Sequence, residues 1–385
     1  MKFHLPLTLF SLLFLLLSVA GCGHAPLTSG SGGDTLTFRH ATLLHIERTD
    51  SYTIAEVRDA WRADKVLHRY VLVPRRGKVP AHLPYGTILR TPLRRVIVGT
   101  SVHAALLAEL GRQGNICGLC DTAYLQHEEL RKALKDGYIA DMGSSVQPVV
   151  ERVISADADA LFLSSFENAG HGTIAQAGIP IVECIDYMER SPLGRAEWMR
   201  FFGLLMGCEA EADSMFAGVE RRYEQLRHHI QSAKTRPTLM CDRKEGALWY
   251  VPGAESTMGQ LYTDAGATYL FAHLKGSGSL PLSFETVYNQ AREADVWLLK
   301  YGAATDITYQ SLQADFPPYK GFRPWREKHI YGCNTFRTPF YEEVPFRPDL
   351  LLSDIAAILH PELLSGHTLR YFQPLKSATT PFPLP

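Results

Sequence analysis

Strand and helix patterns alternate on both sides of one long amphipathic helix, and this arrangement limits the possible folds more than any other feature of the sequence. Before the long helix, the apolar run RRVIVGT precedes the amphipathic segment SVHAALLAELG, and the same order then repeats. After it, strand patterns such as TLMCD and VWLLKYG alternate with the helical pattern STMGQLYTDAG. Strands that alternate with helices form βαβ units and parallel sheets. The sequence therefore predicts an α/β protein with two lobes.

The long helix is predicted over residues 209–233, where apolar residues recur at spacings of three and four. At about 1.5 Å per residue it would extend for about 37 Å, which is the width of a domain. We therefore expect a linking helix within residues 208–235, between an N-terminal lobe at 94–207 and a C-terminal lobe at 236–365.

The start of the chain predicts export and attachment to a membrane. Lys2 precedes the apolar stretch 5–17, which has the anatomy of a secretory signal peptide and is too short to span a bilayer comfortably. The sequence VAGC that ends at Cys22 is similar to a bacterial lipobox, in which the cysteine receives lipid and becomes the new N-terminus. We therefore expect a signal peptide at 1–21, lipidation of Cys22 and a flexible Ser/Gly-rich tether at 22–34. A plain cleaved signal with an incidental cysteine is the alternative.

Composition excludes some partners and outlines the remaining segments. The chain has 39 Lys and Arg against 40 Asp and Glu and lacks a basic stripe, so nucleic acid is not an expected partner. Short alternating stretches and the turn-rich PRRGKVPAHLPYG predict an N-terminal antiparallel β element at 35–93. The C-terminal tail at 366–385 has no predicted role.

The seven cysteines are too sparse for a disulfide scaffold in a chain of this length. Cys117 and Cys120 form a CxxC pair, which can be redox-active or clip a metal. No second pair stands at metal spacing, so we expect Cys117 to end a buried strand and Cys120 to begin its loop. A local disulfide is the alternative.

Four segments together resemble the periplasmic substrate-binding proteins of ABC importers for ferric siderophores, haem and cobalamin. They are VIVGTSVHAALLAELG, the PVVERV…ADALFL stretch, SPLGRAEWMRFFG and SFETV…ADVWLL, and the resemblance covers roughly residues 94–365. It implies the class III periplasmic-binding fold, in which two Rossmann-like lobes are joined by one long helix. It also implies an exported, monomeric binding protein without enzymatic activity or a cofactor.

Two glutamates stand at equivalent positions in a quasi-repeat of the lobes. Glu151 lies on a predicted helix that leads to the strand after Ala158-Asp159, and Glu285 lies on one that leads to the strand after Ala294-Asp295. In the family that this chain resembles, one glutamate on each lobe docks on arginines of the permease dimer, which its ATPase drives. The resemblance implies that role for Glu151 and Glu285. Helix N-termini favour glutamate in any case, so two ordinary surface residues are the alternative.

The ligand is expected in the cleft between the lobes, beyond the carboxyl ends of the strands. Tyrosine and tryptophan offer large flat faces to a corrin, porphyrin or catecholate, and a lysine can pair with an anionic group. The residues predicted to bind ligand are Ser101, Asp121, Ser165, Phe166, Glu167, Asn168, Asp186, Tyr187, Trp249, Tyr250, Lys300, Tyr301, Asn334 and Tyr341. Thr335, next to Asn334, is a further strand-end candidate, and His103 is the weakest of these residues.

Two other classes of protein stay open. A chelatase-like enzyme of a related two-lobed fold is possible, although the sequence has no GxSxG, HExxH, P-loop or strand-linked GxGxxG motif. A zinc or manganese receptor would need a convergent set of His, Asp and Glu, and the histidines are scattered along the chain. The sequence favours capture of an iron chelate, haem or cobalamin over both.

Overall fold

The computed structural model describes residues 35–167 and 170–377. The signal peptide, Cys22 and the tether fall outside these residues, as does the predicted ligand residue Asn168. None of the helices in these two ranges combines the length and the apolar character that a membrane span requires.

The N-terminal β element is one five-stranded sheet in which strands follow each other in chain order. Its strands are β1 (Thr35–Leu36), β2 (Leu44–Arg48), β3 (Thr53–Arg58), β4 (Val66–Pro74) and β5 (Thr87–Thr91). The first four are antiparallel, but β5 runs parallel to β4, so the prediction of a wholly antiparallel element was wrong. The twelve-residue connection 75–86 is long enough for the crossover that a parallel pair requires.

Two buried carboxylates hold the segment between β1 and β2 against the rest of the protein. Glu197, which is fully buried, accepts hydrogen bonds from the backbone N–H groups of Arg39, His40 and Ala41 at 2.8–3.0 Å. Glu189 accepts from the next two backbone N–H groups and from the indole of Trp198. The N-terminal sheet is therefore fixed to the N-terminal lobe.

The N-terminal lobe contains a parallel five-stranded sheet. Its strands are β6 (Val96–Val98), β7 (Ile116–Leu119), β8 (Ala140–Asp141), β9 (Ala160–Leu163) and β10 (Ile181–Glu183), in the order β10-β9-β6-β7-β8. Helices α1 (Ser101–Glu109), α2 (Glu128–Lys135) and α3 (Val150–Ser155) connect strands of this sheet. All three residues of β6 are buried, as expected for a central strand that is covered on both faces. Cys117 lies within β7 and Cys120 directly follows it, and both thiols are free.

Helices α4 (Pro192–Glu197), α5 (Met199–Met206) and α6 (Glu209–Ile230) lead from one lobe to the other. Gly207 ends α5 with a φ of 65°, a conformation that glycine adopts without strain. The buried residues of α6 include Ala212, Phe216, Val219 and Tyr223, which form the predicted stripe. The helix ends three residues before the predicted end because the N–H groups of residues 231–233 bond to carbonyls only three residues back, which tightens the last turn.

The C-terminal lobe contains a five-stranded sheet and a smaller three-stranded one. Their strands are β11 (Thr238–Cys241), β12 (Lys244–Glu245), β13 (Leu248–Pro252), β14 (Thr268–Tyr269), β15 (Ser279–Leu282), β16 (Val296–Tyr301), β17 (Ile330–Asn334) and β18 (Gln373–Pro374). The five-stranded sheet has the order β14-β11-β16-β17-β18 and is parallel except for β18. The three-stranded sheet has the order β12-β13-β15 and is antiparallel.

The helices of this lobe are α7 (Thr257–Asp264), α8 (Phe284–Ala291), α9 (Tyr309–Asp315), α10 (Arg323–Arg326), α11 (Phe340–Glu343) and α12 (Pro348–Leu359). Short 3₁₀ turns occur in both lobes at Gln113–Asn115, Thr122–Tyr124, Gly172–Gln176, Asp186–Met188 and Pro317–Gly321. Residues Tyr371 and Phe372 are fully buried just before β18. This part of the predicted tail therefore packs on the C-terminal lobe.

Candidate functional site

A cleft of about 600 Å³ lies between the two lobes, at the carboxyl ends of the parallel strands. The N-terminal lobe contributes Tyr187, which follows β10, and the C-terminal lobe contributes Lys300 and Tyr301 at the end of β16. The full set of lining residues is Tyr187, Arg195, Asp242, Arg243, Glu245, Tyr250, Pro252, Ser256, Thr257, Met258, Ser277, Gly278, Ser279, Lys300, Tyr301, Gly302, Thr335 and Tyr341.

Aromatic side chains stand exposed at the edges of this cleft. Tyr250 is 41% exposed and Tyr341 is 56% exposed, although both line the cavity. Phe336 is also exposed, and its ring lies against Gly302, where a Cβ would come within 2.6 Å of it. Exposed aromatic rings around a concave site are suited to a bulky, flat ligand.

A buried network on the N-terminal lobe fixes the position of Arg195. The Asp186 carboxylate accepts a hydrogen bond from Arg195 Nε at 2.9 Å and bonds His103 Nε2 at 2.8 Å. Burial would raise the pKa of Asp186, but His103 and Arg195 outweigh it and hold that pKa well below its usual value. Asp186 therefore stays ionised and orients Arg195 at the edge of the cleft.

The cations of the C-terminal lobe are paired as well. Lys300 Nζ donates to Asp242 at 2.7 Å, and Arg243 pairs with Asp315 at 2.9 Å. Burial alone would lower the pKa of Lys300, but the Asp242 carboxylate raises it above its usual value. Each cation that lines the cleft therefore has a carboxylate partner within the protein.

A smaller apolar pocket of about 130 Å³ adjoins the cleft between α4, α7 and α11. Arg195, Thr257, Met258, Lys300 and Tyr341 line both cavities, and Leu261 is among the apolar residues that line only the smaller one. An apolar substituent of a ligand in the cleft would fit here.

Five of the residues predicted to bind ligand line the cleft, namely Tyr187, Tyr250, Lys300, Tyr301 and Tyr341, and the further candidate Thr335 does so too. Trp249 does not. Its side chain is fully buried against Trp297, Tyr319 and Phe322, and its Nε1 donates to the Cys241 carbonyl. Successive residues of a strand face opposite sides, so Tyr250 faces the cleft while Trp249 faces the core.

Other predicted residues have structural contacts instead. The Asp121 carboxylate accepts hydrogen bonds from the backbone N–H and the hydroxyl of Ser145. The Asn334 side chain accepts from the backbone N–H of Ala303 and donates to its carbonyl. Ser101 is buried as the first residue of α1. Asp186 does not line the cleft and instead bonds His103 and Arg195.

Ser165, Phe166 and Glu167 lie at a separate pocket beside the N-terminal sheet.

Sequence reasoning missed most of the polar residues in the cleft. Asp242 and Arg243 directly follow strand β11, so the strand-end rule that selected the other candidates could have found them. Arg195 is the fourth residue of α4 and has no such signal, since the fold alone turns it toward the cleft. The segment 277–279 lies in a loop before and at the start of β15, and nothing in its sequence indicates a site.

Glu151 and Glu285 are both exposed and both lie in the first turn of a helix, α3 and α8 respectively. This placement agrees with the quasi-repeat that the sequence suggests. An exposed carboxylate at each helix start is available to a partner protein.

The two lobes also contact each other directly. Helix α1 packs on α11, the backbone N–H of Gln126 donates to Glu342 at 2.6 Å, and the side chain of Gln126 donates to the Thr335 carbonyl. Together with α6, these contacts favour small relative movements of the lobes over wide opening.

Among the described residues, no group of three or more His, Cys, Asp or Glu side chains could hold a metal ion.

Comparison with known proteins gives a consistent result. A family model described as periplasmic binding protein matches residues 96–335. The uncharacterized lipoprotein MJ0878 of Methanocaldococcus jannaschii is 28% identical over 297 residues, which cover 74% of this chain and 69% of the relative.

Solved structures share the fold at low sequence identity. A periplasmic heme binding protein from Pseudomonas aeruginosa aligns with a TM-score of 0.56 and 15% identity, covering 75% of this chain and all of the other. An ABC-type Fe3+-hydroxamate transport system protein from Saccharomonospora viridis aligns with a TM-score of 0.55 and 17% identity, covering 70% and 94%. The predicted two-lobed class III fold is confirmed, and the matching family and structures are binding proteins rather than enzymes.

Proposed function

The chain belongs to the periplasmic binding protein family, and from that premise we propose that it captures an iron chelate, haem or cobalamin and delivers it to an ABC importer. The ligand would bind in the interlobe cleft. The observation that carries this proposal is the cleft itself, with the exposed rings of Tyr250 and Tyr341 facing Tyr187 and Arg195 of the other lobe.

The charges of the cleft favour cargo of low net charge. Arg195, Lys300 and Arg243 are each paired with a carboxylate of the protein. Glu245 lines the cleft without a salt-bridge partner among the described residues. A chelate with several negative charges would find no unpaired cation and would meet this carboxylate, so a near-neutral chelate fits best.

Delivery would depend on surfaces away from the cleft. We propose that Glu151 and Glu285 dock on the permease dimer, one from each lobe, and that ATP hydrolysis by the associated ATPase drives release. The first-turn positions of both glutamates support this role, because their carboxylates are exposed. The lobes would move only slightly, given the contacts around Gln126.

We also propose that lipid on Cys22 holds the protein at the outer face of a membrane. Support comes from the lipobox-like sequence and from a relative that is called a lipoprotein. Replacement of Cys22 by serine should release the protein from membranes into the soluble fraction.

A titration of the protein without residues 1–22 tests the binding role. Cobalamin, haem and a ferric trihydroxamate would be added separately while tryptophan fluorescence and visible absorbance are followed. We expect saturable submicromolar binding of one of them, and a Tyr250→Ala variant should bind it at least tenfold more weakly.

The matched control is Tyr138→Ala, which removes an exposed tyrosine just before β8, at the opposite end of the strand from the cleft. Absence of binding by all three ligands, or equal losses in both variants, would contradict the proposal.

A further inference from the structure

A second pocket, of about 400 Å³, lies where the N-terminal sheet meets the N-terminal lobe. Hydrogen bonds join the sheet to the lobe here: Tyr70 of β4 donates to the Ile181 carbonyl at 3.1 Å and accepts from the Glu183 backbone N–H at 2.8 Å. One wall comes from the segment that follows β3, and the other comes from the carboxyl ends of β9 and β10. The lobes alone could not form this pocket.

Two aromatic residues line the pocket from opposite walls. Phe166, which follows β9 of the N-terminal lobe, is 53% exposed. Trp61, in the connection between β3 and β4, is partly exposed, while the other four tryptophans of the chain are buried. Large aromatic side chains left in contact with solvent at a concave surface are typical of binding sites.

The charged groups of the pocket are mainly acidic. Asp59, Glu167 and Glu183 line it, against the single guanidinium of Arg62. Asp59 is held in place by the backbone N–H groups of Trp61 and Arg62 at 2.9 and 3.0 Å, and its other oxygen is 3.4 Å from Arg62 Nε.

His171 is the remaining titratable residue of the pocket. Its Nε2 is 2.8 Å from Glu183, which also accepts a hydrogen bond from the Ser165 hydroxyl. With His171 neutral, the carboxylates exceed the cations by two charges, and with His171 protonated they exceed them by one.

We propose that this pocket binds an organic ammonium group between Trp61 and Phe166, with the surrounding carboxylates as counter-charges. An aromatic face attracts a cation through the ring quadrupole, and nearby carboxylates add Coulomb attraction. An anionic ligand is disfavoured by the same carboxylates. The site is distinct from the interlobe cleft and is formed jointly by the N-terminal sheet and the lobe.

The pocket and the cleft share a boundary. The rings of Phe166 and Tyr187 have centroids 6.2 Å apart, and the Tyr187 hydroxyl donates to the Ser165 carbonyl at 2.5 Å. Tyr187 lines the cleft, whereas Phe166 lines the pocket. A chelate in the cleft could therefore place an alkylammonium substituent in the pocket, past Phe166. This link to a chelate rests on the proposed function, whereas the ammonium site itself does not.

The test uses n-pentylammonium as the probe and the indole N–H signals of the five tryptophans as the readout. The protein without residues 1–22 is labelled with ¹⁵N-tryptophan, and the Trp61 signal is assigned by its loss in a Trp61→Phe variant. We expect pentylammonium to shift the Trp61 signal saturably and to leave the buried tryptophans unchanged. The neutral control, 1-pentanol, should give no comparable shift. No saturable shift, or the same shift with both probes, would overturn the proposal.

Variants of two exposed charged residues show whether the pocket selects cations or anions. Glu167→Gln should weaken pentylammonium binding about two- to fivefold, and Arg62→Gln should strengthen it by a similar factor, as is typical of exposed charge pairs. Tighter binding in Glu167→Gln together with weaker binding in Arg62→Gln would identify an anion site instead and overturn the proposal. Because the probe is not a chelate, these results are independent of whether any chelate binds in the cleft.

Discussion

Replacement of Glu197 by glutamine should loosen the N-terminal sheet from the rest of the protein. One carboxylate oxygen accepts from the Arg39 backbone N–H and from Arg200, and the other accepts from the N–H groups of His40 and Ala41. The amide nitrogen of glutamine must replace one of these oxygens. In either orientation of the amide, its NH₂ group faces two N–H donors that had bonded a carboxylate oxygen, so two hydrogen bonds to a charged acceptor are lost.

The cost follows from the burial of the site. Hydrogen bonds to charged groups contribute roughly 1.5–3 kcal/mol each, and partial relaxation reduces the loss of two of them to about 3 kcal/mol. If the chain unfolds cooperatively, about 2.1 cal/mol/K of unfolding entropy per residue converts this loss into a decrease in Tm of about 4 °C. If the segment 39–43 opens locally, its amides should exchange about a hundredfold faster, since each 1.4 kcal/mol is a factor of ten.

Thermal unfolding and hydrogen exchange followed by mass spectrometry measure both quantities. Glu211→Gln is the control, because that glutamate lies exposed on α6 and its only ion pair with another described residue is 3.7 Å long. A Tm within 1 °C of the wild type, together with unchanged exchange at 39–43, would refute the argument that this carboxylate fixes the sheet.

Three further predictions concern the lobes. Trp249→Ala should destabilise the C-terminal lobe by about 3–5 kcal/mol in urea unfolding, whereas Tyr250→Ala should change stability by less than about 1 kcal/mol; comparable values would contradict the opposite orientations of the two side chains. Replacement of both Glu151 and Glu285 by alanine should abolish uptake in cells and leave ligand affinity intact, and a loss of affinity would contradict the docking role. The pKa of Asp186 is lowered in the folded state, so this carboxylate stabilises the fold above about pH 3.9, and that stabilisation is lost as the pH falls further. The free energy of unfolding should therefore decrease less steeply between pH 5 and pH 3 in Asp186→Asn than in the wild type, and an unchanged slope would contradict this.

Patterns of apolar residues were sufficient to predict the architecture. Apolar residues spaced three and four apart around Phe216 predicted the linking helix, and the apolar run VIV at 96–98 predicted a central strand. Both predictions succeeded because the local spacing of apolar residues reflects which face of an element is buried. The direction of β5 was not available from its sequence, since a five-residue strand has the same pattern in a parallel or an antiparallel pair.

The site was less predictable because side-chain direction depends on tertiary packing. Trp249 and Tyr250 are equally plausible ligand contacts by residue type, and only the register of β13 against β15 decides which one faces the cleft. Arg195 belongs to an interlobe site although it lies inside a helix, which no strand-end rule selects. The pocket around Trp61 depends on the docking of a separate sheet, so no single segment of the sequence indicates it.

The internal pairing of the cations in the cleft also has a consequence for the speed of capture. Arg195, Lys300 and Arg243 project little net field into solvent, because each has a carboxylate within hydrogen-bonding distance. Long-range steering of charged ligands is what makes association rates depend on salt, and its effect is lost beyond about 10 Å at 0.1 M ionic strength. For a ligand that binds in the cleft, these paired cations would therefore add little salt-dependent steering, and Glu245, unpaired among the described residues, would repel an anion only within about 10 Å at 0.1 M ionic strength.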